Sequence, residues 1–69
     1  MNITGKVSKK NGRWFIHDLE GKEYELRGYD MKPRMDGLTI RVVGNLEDSF
    51  GADFFDVPKV LIVQRLNVV

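Results

Sequence analysis

Cysteine is absent from this 69-residue chain. That excludes disulfides, thiolate nucleophiles and sulfur-ligated zinc together, so a domain of this size must hold itself together by packing alone, and a reducing compartment suits it. Histidine occurs once, as His17. A general base, a nucleophile and an orienting partner must converge for catalysis, and one His with scattered carboxylates offers neither that convergence nor the ligand spacing of a metal centre. Asp18 follows His17 directly and would point to the other face of a regular strand, so adjacency does not pair them. No Gly-rich phosphate loop is present. The expectation is a non-enzymatic protein without a cofactor or a metal. Long apolar runs are missing too. The longest, Val60 to Val63, is far short of the roughly 20 residues a membrane-spanning helix needs. The amino terminus places Lys6, Lys9 and Lys10 after its apolar residues, the reverse of a signal peptide. We expect a cytoplasmic protein with no membrane association.

Neither sign of charge dominates, with 11 Lys or Arg against 10 Asp or Glu. Charge is unevenly placed. Residues 1 to 45 hold nine bases and six acids, a net of +3, while residues 46 to 69 hold two bases and four acids, a net of −2. At 42% hydrophobic and 30% charged the composition is that of a folded chain, and its length allows one domain, residues 1 to 69. Repeats, low-complexity tracts and linkers are absent from the sequence.

What is present is alternation. Ile3, Gly5 and Val7 alternate with Thr4, Lys6 and Ser8, the period of two of a strand with one buried face. Asn11-Gly12 follows, a pair whose tolerance of positive φ suits a tight hairpin turn. Arg13 to Asp18 then sets Trp14 and Ile16 against Arg13, Phe15 and His17, and after a turn around Gly21 the run Glu23 to Arg27 sets Tyr24 and Leu26 against Glu23, Glu25 and Arg27. Tyr29 to Asp36 has room for a single helical turn. Leu38 to Leu46 resumes alternation with Leu38, Ile40, Val42 and Gly44 on one face. Val60 to Val69 is a fifth strand, for which a bulge near Gln64 would bring Leu61, Val63 and Leu66 inward, against the plain alternation of Val60, Ile62 and Leu66. Trp14, Tyr24, Met31 and Met35 read as core and end-cap residues, with Trp14 expected to be a buried anchor.

Five strands of this length avoid bare edges by closing into a barrel. The runs Ile3-Thr4-Gly5-Lys6-Val7, Trp14-Phe15-Ile16, Gly21 to Leu26, Thr39 to Leu46 and Val60 to Val63 resemble those of small bacterial OB-fold proteins, over most of the chain. The resemblance implies an all-β, five-stranded, closed or partly open OB-like barrel, with a minimal turn in place of the helix between strands 3 and 4. It also implies that Gly5 is the glycine that lets the first strand coil. That short turn leaves an SH3-like barrel as the alternative. Gly12 to Ile16 is similar to the aromatic strand of cold-shock domains, without that family's second cluster of aromatics and histidine.

Two surfaces are candidates for binding. On the outward face of strands 1 to 4, Lys6, Arg13, Phe15, His17, Arg27 and Arg41 combine cations for phosphates with a flat ring for base stacking, as single-stranded DNA or RNA requires. Glu23 and Glu25 share that face and would screen part of its charge. The segment Glu47 to Pro58 holds four acids and three aromatics, Phe50, Phe54 and Phe55, and no base. Rings among carboxylates suit docking on a protein partner or on a second copy of the chain, and one or more of these rings could instead plug the barrel end.

Overall fold

In the computed structural model of the protein, which describes residues 1–47 and 59–69, Asn11 and Gly12 both take positive φ, 52° and 76°. They form the tight turn that the Asn-Gly pair predicts, and it sets the register of the first hairpin. Strand β1 (Asn2–Lys10) pairs with β2 (Arg13–Asp18) from Lys10↔Arg13 to Gly5↔Asp18. At the far end of β2, Asp18 Oδ1 accepts hydrogen bonds from the backbone N–H groups of Glu20 (2.9 Å) and Lys22 (2.8 Å), closing the turn into β3 (Glu23–Arg27). Side-chain oxygens that satisfy turn amides in this way are the reason Asp is favoured at such positions.

Between β3 and β4 (Thr39–Leu46) the chain makes one short 3-10 turn, Pro33–Met35, where a helix had room for no more. Its exit is sewn to β1, since Val7 donates to the Leu38 carbonyl at 2.9 Å and accepts from the Gly37 amide at 2.8 Å. Strand β5 (Lys59–Val68) runs antiparallel to β4 and parallel to β3, and β4 pairs with the first half of β1. The result is a closed, mixed five-stranded barrel in the order β1-β2-β3-β5-β4, compatible with an OB-like fold, with no α-helix among the described residues. None of these residues forms a helix long and apolar enough to cross a membrane.

Closure depends on β1 serving two neighbours. Residues 2 to 6 pair with β4 and residues 5 to 10 with β2, so the strand turns from one partner to the other at Gly5 and Lys6. A Cβ at Gly5 would overlap the carbonyl oxygen of His17, a backbone atom with nowhere to go. Only glycine allows that approach.

Ile3, Val7, Ile16, Tyr24, Leu26, Ile40, Val42, Leu61 and Val63 fill the interior, with Trp14, Met31 and Leu66 packed against them. Ile16, Ile40 and Leu61 are fully enclosed, and each contributes about 1.5–3 kcal/mol on leaving water. Gly44 of β4 pairs with Val63 of β5 and Val43 with Arg65, so Gln64 is the extra residue of a bulge in β5. Leu61 and Val63 are buried and Leu66 is half-buried against the core, the facing set that the bulge requires. Two expectations shift. Trp14 is only half-buried at the barrel mouth, where the Lys9 ammonium lies 5.5 Å from its ring centre, and Leu38 is exposed. Both stand where a strand end meets solvent, so an inward direction there does not amount to enclosure.

Candidate nucleic-acid interface

The outer surface of β2 and β3 is built in rows by the hairpin register. His17 faces Glu23, and Phe15 faces Glu25. Arg13 and Arg27 lie one residue beyond the Trp14–Leu26 pair, at the ends of β2 and β3. Strand β1 extends each row, with Lys6 beside His17, Ser8 beside Phe15 and Lys10 beside Arg13. Lys10, Arg13 and Arg27 therefore form one cationic row across three strands, next to a row centred on the half-buried Phe15 ring.

Carboxylates organise these cations. Glu23 Oε2 lies 2.6 Å from His17 Nε2 and 3.4 Å from Lys10 Nζ. The Lys10 ammonium also sits over the Phe15 ring, 5.8 Å from its centre, within cation–π range. Glu25 takes Arg13 Nη1 at 3.5 Å on one oxygen and Arg27 Nε on the other. Arg27 Nη1 lies 3.8 Å from Glu47 as well. Glu25 points outward, yet its side chain is only 7% exposed. Its parallel neighbour on β5, Val60, is buried too. A carboxylate so enclosed is tolerable only because it is paired, and Glu25 and Glu47 between them balance the two guanidiniums.

Of the six residues the sequence singles out, Arg13, Phe15, His17 and Arg27 come together on β2 and β3, and Lys6 adjoins them through His17. Arg41 lies apart. It pairs with Thr4 on the other side of β1, whereas Lys6 pairs with Thr39. Neither Lys6 nor Arg41 has a carboxylate within ion-pair distance among the described residues. Two members escaped the sequence reading. Lys10 entered the sequence reading only as an amino-terminal lysine, although its spacing from Arg13 across the Asn-Gly turn marks it as a row partner. Glu25 was counted as a charge that weakens the face, whereas it anchors two of its cations.

Phe50, Phe54 and Phe55, the candidates for partner docking, lie outside the described residues. Among the described residues no group of three His, Cys, Asp or Glu side chains could hold a metal ion. An open cleft of roughly 370 Å³ lies between the start of β1 and the β2–β3 turn, lined among others by Met1, Ile3, Leu19 and Tyr24. Its charged side chains, Asp18, Glu20 and Lys22, are spent on the turn or on one another. Comparison of the chain with protein-family models, with curated proteins and with solved structures gives no match.

Proposed function

We propose that the protein is a non-enzymatic, low-specificity binder of single-stranded DNA or RNA, akin to the small bacterial OB-fold proteins its strand spacing resembles. The observation that carries this reading is the half-buried Phe15 ring in the middle of an outward sheet face, bordered by Lys6, Lys10, Arg13 and Arg27. A ring offers any base a stacking surface, and cations on its flanks meet the phosphates on either side. Lys6, Lys10, Arg13 and Arg27 outnumber Glu23, Glu25 and Glu47 by one, which leaves the face positive though not strongly so. Binding is accordingly weak and moderately salt-dependent. Bases are read by stacking rather than by a hydrogen-bond code, hence the low sequence preference.

The test is a titration of a labelled mixed-sequence oligonucleotide, repeated over a range of salt. Two phosphates met by the Lys10, Arg13 and Arg27 row, one by Lys10 and one by the two arginines, give a log–log slope of about −1.4, at roughly −0.7 per phosphate for single strands. Absence of binding at low salt, or amide shifts that avoid β2 and β3, would refute the reading.

A further inference from the structure

We propose that Glu25 is a positioning residue: its buried carboxylate holds Arg13 and Arg27 together as a two-pronged grip for one backbone phosphate of a strand whose base lies on Phe15. The inference rests on the reading of the face given above and names how that face takes its ligand.

Arg13 and Arg27 each lie one residue beyond the Trp14–Leu26 pair on two adjacent strands, where like charges repel and long side chains would splay apart. Glu25 removes that tendency by receiving both guanidiniums, one on each oxygen. The Arg side chains remain open to solvent, 67% exposed for Arg13 and 51% for Arg27, while the carboxylate beneath them is closed off. Each guanidinium has five N–H donors. Arg13 spends its Nη1 on Glu25, and Arg27 spends Nε on Glu25 and turns Nη1 toward Glu47, so donors on both remain for an incoming anion. A phosphate oxygen is the fitting acceptor, because a guanidinium fork matches phosphate geometry in a way an ammonium does not. Holding the two heads in place beforehand removes most of the freedom they would lose on binding.

Charge counting alone predicts the opposite sign. Deleting an acid from a phosphate-binding face should strengthen binding if Glu25 merely screens its neighbours, and should weaken it if Glu25 holds them. The experiment compares the full chain with Glu25→Gln, and with Glu20→Gln as a charge-matched control in the β2–β3 turn, by fluorescence anisotropy on a labelled oligothymidylate of about twelve nucleotides, within the range one such barrel covers. Glu25→Gln is expected to bind about five- to tenfold more weakly than wild type, and Glu20→Gln equally well or slightly better. Arg13→Lys supplies a second arm that leaves the buried carboxylate in place. It keeps the charge and loses the fork, so affinity falls several-fold while the salt slope stays unchanged. Wild-type affinity or tighter in Glu25→Gln, with its amide spectrum intact, overturns the positioning role and leaves the face a nucleic-acid binder. Should Glu25→Gln not fold, wild-type affinity in Arg13→Lys overturns it instead. Failure of the wild type to bind at low salt overturns the reading of the face, and this role with it.

Discussion

The ammonium of Lys10 reaches both the Phe15 ring, 5.8 Å from its centre, and Glu23, 3.4 Å away, so one flexible cation joins the aromatic and the acidic parts of the face. A strand that lays a base on that ring must displace Lys10 or share the ring with it, and a phosphate is the natural new partner for a displaced ammonium. Lys10→Gln should therefore lower the magnitude of the salt slope by about 0.7, the share of one phosphate contact. A slope equal to that of wild type would place Lys10 outside the contact set.

Phe15 is half-buried on the outer face and is not part of the interior cluster. Phe15→Ala is expected to weaken single-strand binding by about 1–3 kcal/mol, the range for loss of one stacked base. Its stability cost should be smaller than that of an interior truncation. Urea denaturation run beside the binding titration checks both halves, and a folded variant with undiminished affinity would remove Phe15 from the site.

Gly5→Ala should destabilise the barrel by about 3 kcal/mol, at the upper end for overpacking, because the atom it strikes is the His17 carbonyl rather than a yielding side chain. The same measurement decides this, and a loss below about 1 kcal/mol would mean that β1 and β2 can part there at little cost.

Ile16 is fully enclosed, whereas Trp14 keeps part of its ring in solvent at the barrel mouth. Ile16→Ala should cost about 2–5 kcal/mol. Trp14→Ala should cost about 2 kcal/mol, below the 3–5 of an enclosed large aromatic. The ranking is the point: a larger loss at Trp14 than at Ile16 would contradict the placement of the ring.

How much of this was legible beforehand follows from what sequence patterns report. Alternation records which way a side chain points, and so it yields the strands, the inward set and, with the doubled step at Gln64, the bulge in β5. The Asn-Gly turn is legible because few residues accept its backbone angles. Glu25 and Val60 show the limit of that reading, since both point outward and both are buried. The two meet across a parallel contact between residues about 35 positions apart, which a local pattern does not encode. Trp14 errs the other way, pointing inward at a level where the barrel is already opening. Residues of the face were thus identifiable one by one, while the sharing of one carboxylate by two arginines required the register.

The parallel seam between β3 and β5 also carries a kinetic consequence. Strands β1 to β3 form a meander of neighbouring hairpins, and such hairpins assemble in roughly 1–10 μs. The seam joins Tyr24–Arg27 to Lys59–Ile62, and the β1–β4 contact spans a similar length of chain, so both pay loop-closure entropy before they gain any contact. Sealing the barrel is then the slow event, and it is the step that takes Ile16 and Leu26 out of water. Because closure entropy grows only with the logarithm of length, doubling the span between β3 and β5 would raise its cost by about 0.6 kcal/mol. The refolding rate should consequently be far more sensitive to a substitution at the Leu26–Leu61 pairing than to insertions of neutral sequence between Arg27 and Lys59.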